Sequence, residues 1–84
     1  MGLPESDWRL TNQEGYLRGV TLFRRHYTPP RPGWDHDHCS FCWAEFSETL
    51  PDGLRDGWTT SDGYYWVCDG CFQDFRERFG WVTG

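Results

Sequence analysis

The sequence predicts a small α+β domain gathered around four cysteines, and three observations carry that expectation. The chain has 84 residues, room for one hydrophobic core and not two. It holds two Cys-x-x-Cys pairs, Cys39-Ser40-Phe41-Cys42 and Cys68-Asp69-Gly70-Cys71. A turn between β-prone runs lies between the pairs, and a helical stripe follows them. Composition points the same way. Sixteen residues are aromatic, six of them Trp, whereas Leu and Val together supply nine and Ile none. Aliphatic filling is scarce, and a chain this short needs a staple.

Taken in order, residues 1–15 are polar, contain Pro4 and Gly15, and read as an irregular arm that Trp8 and Leu10 pin to the body. Residues 16–84 form the single domain. Tyr16 to Tyr27 is rich in β-formers and lacks proline, so it reads as a strand with Gly19 marking a bulge. Thr28 to Gly33 places three prolines within five residues. They fix φ, remove donors and make a stiff connector. Pro29-Pro30-Arg31-Pro32 also has the form of a polyproline ligand, but the connector is the plainer reading. Asp62-Gly63 between Trp58–Ser61 and Tyr64–Val67 signals a hairpin with a type I′ turn, setting Trp58 opposite Val67 and Thr60 opposite Tyr65. Asp69 to Gly80 reads as a helix capped by Asp69 and ended by Gly80, with Trp81 closing a Schellman-type contact. Phe72, Phe75 and Phe79 form one stripe, read as core.

The cysteines carry the chemistry. Two residues between ligands let a tight turn aim both sulfurs at one tetrahedral ion while backbone N–H groups bond the thiolates. The second pair falls at the start of the helix, where the unsatisfied N–H groups favour thiolate. Twenty-five residues separate the pairs, more than the usual ~15–20, and the hairpin absorbs the excess. The expectation is one structural Zn²⁺ on Cys39, Cys42, Cys68 and Cys71. An iron–sulfur cluster takes the same four thiolates, and spacing does not separate the two. Four cysteines close a zinc shell, so no hydrolysis at the metal is expected.

This order of knuckle, hairpin and ligand-bearing helix resembles a treble-clef zinc finger and, more loosely, a zinc ribbon, over roughly residues 36–80. The resemblance departs at Trp43, where such knuckles often carry Gly after the second Cys. The stretches WDHDHCSFCWAEFSE and DGYYWVCDGCFQDF also resemble short uncharacterised bacterial CxxC…CxxC proteins, a likeness that implies no function.

Asp35-His36-Asp37-His38 is the other local oddity. One reading makes His36 or His38 an alternative ligand, or part of a second metal site with the aspartates. The preferred reading has the aspartates capping backbone groups and one His bonding a Cys sulfur. The two His are taken to face opposite ways, so that one ion does not hold both.

The formal charge is −5, with no Lys. It divides unevenly, net +2 over residues 1–34 and net −8 over residues 35–77. No secretory leader or apolar span is evident, so a soluble cytoplasmic protein is expected, a compartment where paired cysteines bind metal rather than each other. No phosphate loop, nucleophile triad or His-Glu-x-x-His is present, and no enzyme is expected. Two functions follow. The first is a protein-interaction module, an adaptor or an inhibitor of immunity type, anchored by Trp34, Trp43, Trp58 and Tyr64. The second is nucleic-acid binding through Arg18, Arg24, Arg25 and Arg31, against which the acidic half argues. Self-association through the Tyr16–Tyr27 strand is a further expectation.

Overall fold

A computed structural model describes residues 9–11, 13–29, 33 and 36–84. Trp8, Arg31, Trp34, Asp35 and the body of the proline segment lie outside them. The described residues form a small α+β unit. In chain order they make a single helical turn α1 (Glu14–Leu17) and strands β1 (Thr21–His26), β2 (Asp37–His38), β3 (Glu45–Phe46), β4 (Asp56–Thr59) and β5 (Trp66–Val67). Helix α2 (Asp69–Phe79) and strand β6 (Val82–Thr83) follow. The main sheet has the order β5-β4-β1-β6 and is mixed, with β1–β6 parallel and the other pairs antiparallel. A second, two-stranded sheet joins β2 to β3.

The strand expected over Tyr16–Tyr27 is only half present. Tyr16 and Leu17 are drawn into α1, where both of their N–H groups bond the Gln13 carbonyl, at 3.0 and 2.8 Å. Gly19 then turns the chain at φ +73°, and its N–H reaches the Phe79 carbonyl at 2.7 Å. It is a left-handed joint and not a bulge, a conformation glycine takes without penalty. The turn lets Leu17 and Leu22 enter the core from two directions, and both are fully buried. Strand β1 pairs β4 along Phe23–His26 and β6 along Thr21–Leu22.

The hairpin has the expected register, with Trp58 opposite Val67 and Thr59 opposite Trp66. Its turn differs. Gly63 alone of the pair takes a positive φ, +72°, and its N–H bonds the Thr60 carbonyl at 2.8 Å. The loop therefore runs through Ser61, Asp62, Gly63 and Tyr64. Asp62 avoids positive φ, and its carboxylate is engaged locally. It accepts the Thr60 hydroxyl at 2.5 Å and the Tyr64 N–H at 3.1 Å, the local bonding that makes Asp a turn residue.

Helix α2 is capped by Cys68, one residue earlier than expected: its Sγ accepts the Cys71 N–H. Asp69 is thereby freed to face outward. At the other end Gly80 sits at φ +64°. Its N–H bonds Glu77, and the Trp81 N–H bonds Arg76 at 3.1 Å, the Schellman pattern. Phe72, Phe75 and Phe79 are buried. Phe41 stacks on Phe75 at 4.8 Å and meets Phe79 edge-on at 5.3 Å, while Trp81 lies over Phe79 at 5.3 Å. Ring pairs of this kind add about 0.5–1.5 kcal/mol each beyond area burial, which compensates for the missing aliphatics.

Candidate metal centre

Two chain turns bring the cysteines together. The first follows β2: Cys39 donates its N–H to the Ala44 carbonyl at 2.7 Å, and the Trp43 N–H returns to the Cys39 carbonyl at 3.1 Å. The second is the first turn of α2. The Ser40 N–H to Trp66 carbonyl bond, 2.8 Å, ties the two turns. The four Sγ atoms all lie within 4.8 Å of one another, and Cys42 and Cys68 are 3.6 Å apart. Four sulfurs at ~2.3 Å from a central ion are ~3.8 Å apart along each edge of the tetrahedron. The cluster therefore fits a single structural metal ion. All four cysteines are free thiols.

Donors surround the sulfurs. Cys39 Sγ accepts the N–H of Phe41 and of Cys68, each at 3.4 Å. Cys68 Sγ accepts the Cys71 N–H at 3.5 Å, and Arg9 Nη1 lies 3.7 Å from Cys71 Sγ. Arg9 is held there by Asp74 at 2.8 Å and by stacking over Phe75 at 4.4 Å. The thiols also bond one another, which drives their acidities apart. Hydrogen bonds from the Cys68 and Cys71 thiols pull Cys39 far below the usual thiol range. The same bond, seen from the other side, pushes Cys68 up to about 11, and Cys39 and Cys68 together push Cys71 higher still. A divalent ion removes this competition, so metal binding must release protons.

Trp43, at the departure from the zinc-finger pattern, takes φ +68° and is the sole non-glycine residue with positive φ among those described. The knuckle keeps the left-handed backbone that glycine usually supplies and builds it with a tryptophan. That costs of order 1–2 kcal/mol, yet the side chain is 66% exposed. Strain and exposure thus coincide at one residue beside the cluster.

Trp43 has company. Tyr64 is 54% and Tyr16 42% exposed. With Tyr65, Asp37 and His38 they line one groove of about 400 Å³. Tyr16 packs on Tyr65 at 4.6 Å, and Tyr64 meets Tyr65 edge-on at 4.8 Å. Tyr16 and Tyr65 were not among the sequence candidates. No sequence signal sets them apart, because Tyr65 precedes β5, and the two residues of that strand, Trp66 and Val67, are both buried. Trp58 lies elsewhere, stacked on Phe72 at 3.9 Å with its Nε1–H on Asp69 at 2.9 Å.

The arginines do not share a face. Arg24 forms a two-point pair with Asp69, at 3.1 and 2.7 Å. Its neighbour Arg25 points to the opposite side of β1, over the Phe23 ring at 4.8 Å. Arg18 is exposed beyond α1. Gln13, in the segment read as an arm, is fully buried. Its Nε2 reaches the carbonyls of Arg9 and Ser40, both at 2.8 Å, fastening the N-terminal segment to the knuckle.

His36 and His38 face the same way, contrary to expectation. Residues two apart on an extended chain share a face, and the two rings meet edge-on at 4.9 Å. Both turn toward Glu45, and the three side chains form a second group of potential ligands. Among the described residues no helix is long and apolar enough to cross a membrane. No protein-family model matches the chain, and neither a curated protein sequence nor a solved structure matches it.

Proposed function

We propose that this chain is a zinc-binding protein-interaction module of treble-clef type, at work in the reducing cytoplasm and without catalytic activity. One Zn²⁺ on Cys39, Cys42, Cys68 and Cys71 serves as a structural staple. The groove lined by Tyr16, Trp43, Tyr64 and Tyr65 receives the partner. The observation that carries this reading is the strained, two-thirds exposed Trp43, which sits between the metal knuckle and the groove. A metal that fixes the Cys39–Cys42 turn fixes that indole as well.

Charge selects the occupant. Apart from Thr11 and Tyr16, the groove is lined by the half of the chain with net charge −8, Asp37 among its residues. Exposed Trp and Tyr faces attract Arg and Lys. The partner is therefore an extended, cationic segment of another protein, as an adaptor or an inhibitor of a basic enzyme would bind. Nucleic-acid binding through Arg18, Arg24, Arg25 and Arg31 gains less support, because Asp69 already neutralises Arg24 and Arg25 faces away from it.

A displayed library of random peptides, panned against the zinc-loaded chain, tests the reading. Enriched peptides are expected to carry Arg or Lys and to lose binding to Trp43→Ala and Tyr64→Ala, but not to Arg25→Ala. Peptides with no cationic preference, or with equal binding to all variants, would refute it. A single-stranded oligonucleotide whose binding weakens steeply with salt would favour the nucleic-acid reading instead.

A further inference from the structure

The geometry points to a second, open-shelled transition-metal site formed by His36, His38 and Glu45. It is distinct from the four cysteines and does not depend on the groove having a partner. His38 lies directly across the β2–β3 pairing from Glu45. His36 immediately precedes β2 and turns its ring to the same side. One ligand atom from each residue lies within 4.8 Å of the others. The Nε2 atoms of His36 and His38 approach the same oxygen, Glu45 Oε2, at 3.7 and 4.0 Å.

These separations are too long for hydrogen bonds, which end near ~3.2 Å for N–H···O. They are close to what an ion needs. With metal–nitrogen and metal–oxygen bonds of ~2.0–2.2 Å, tetrahedral ligand atoms stand ~3.4 Å apart. The two imidazoles need to close on the carboxylate oxygen by only about 0.3 and 0.6 Å, within reach of small χ rotations. The backbone beneath them is already fixed. Cys39, next to His38, belongs to the first metal cluster. Asp37 points the other way along the strand and accepts the Tyr27 hydroxyl at 2.9 Å, so it braces the hairpin rather than joining the ligands.

The ligand set names the class of ion. Two imidazoles with one carboxylate suit Zn²⁺, Ni²⁺ or Cu²⁺ and not Ca²⁺ or Mg²⁺, which prefer all-oxygen shells. Three protein ligands leave at least one position for water or an incoming group. The side chains are 35–40% exposed, so the ion exchanges with solvent and is held more weakly than one closed by four thiolates. His38 also lines the groove, its ring 5.9 Å from Trp43. The site therefore adjoins the groove.

The test uses the untagged full chain carrying one equivalent of Zn²⁺. Further Zn²⁺, and separately Ni²⁺, is titrated in by calorimetry, with stoichiometry read by native mass spectrometry. Wild type is expected to take a second equivalent. His38→Ala and Glu45→Gln are each expected to weaken it at least ~10-fold, the loss seen even for groups that only support a ligand. His26→Ala, which removes an exposed His paired with Asp56, should leave it unchanged. Glu45→Gln keeps the side-chain shape and decides the matter if His38→Ala does not fold. Loading with Co²⁺ separates the sites, since only thiolate ligands give sulfur-to-metal charge-transfer absorption. A wild type that stops at one equivalent would overturn the proposal, and so would a second equivalent that survives both variants.

Discussion

Replacing Trp43 by glycine and by alanine separates the backbone cost of the knuckle from everything the indole does. Both variants delete the same side chain, so packing and groove contacts cancel between them. What remains is the residue's φ of +68°. An L-residue in that region costs about 1–2 kcal/mol. Glycine escapes that cost but loses about 0.4–1 kcal/mol more than alanine in unfolded-chain entropy. The balance favours the glycine variant by about 1 kcal/mol, the reverse of the order at an ordinary negative-φ position. For a domain of this size that is about 4–8 °C in melting temperature. The assay is thermal unfolding by circular dichroism at saturating Zn²⁺, so that metal linkage is equal in both. Equal melting temperatures, or a more stable alanine variant, would refute the argument that Trp43 occupies a glycine position. The glycine variant should also stay folded while losing groove binding, which would show that the indole serves binding and not the fold.

Three further outcomes follow from the packing. Gly57→Ala places a Cβ 2.5 Å from Phe46 Cε1 and 3.0 Å from the Val67 carbonyl oxygen; overpacking of this kind costs about 1–3 kcal/mol, measured as a shift in urea midpoint, and an unchanged midpoint contradicts the close fit of β4 over Phe46. Gln13→Ala strips the Ser40 carbonyl of its 2.8 Å partner and should cost about 1–3 kcal/mol, with faster proteolysis near Arg9; a neutral result would mean the N-terminal segment does not support the knuckle. Asp69 is held below the usual carboxylate range, first by its hydrogen bond from Arg24, then by that residue's charge and by Trp58. A depressed folded pKa gives stability that is present above the unfolded value, ~3.9, and lost as pH falls through the folded one. The stability gap between wild type and Asp69→Asn should therefore narrow as the pH falls toward about 4, read over the range in which both chains keep their metal. A gap that stays constant over that range speaks against the pairing with Arg24.

The parts legible in the sequence are those where one residue type has one physical use. Cys-x-x-Cys spacing announced the cluster, Asp-Gly the hairpin register, and the Phe72, Phe75, Phe79 stripe the helix face. Gly80 and Trp81 announced the Schellman end. What stayed hidden depended on contacts from far along the chain. Tyr16 and Leu17 have β propensity, but the Gln13 carbonyl draws them into a helical turn, and tertiary bonding overrides local preference there. Gln13 reads as a polar arm residue until Ser40, distant in sequence, claims its amide. Cys68 displaced Asp69 as helix cap because a ligand sulfur is also an acceptor. Trp43 at positive φ runs against propensity, and such conflicts concentrate at functional positions. The shared direction of His36 and His38 follows from simple strand alternation, but Glu45 as their common target emerges only once β2 pairs with β3.

The central claim is that four cysteines hold one zinc ion on which the fold depends. Native mass spectrometry of the full chain, after dialysis against a weak chelator, tests it most directly. Wild type should retain one zinc per chain, and Cys71→Ser should retain none and spread to the high charge states of an unfolded chain. A compact wild type without metal, or one carrying iron in its place, would contradict the account.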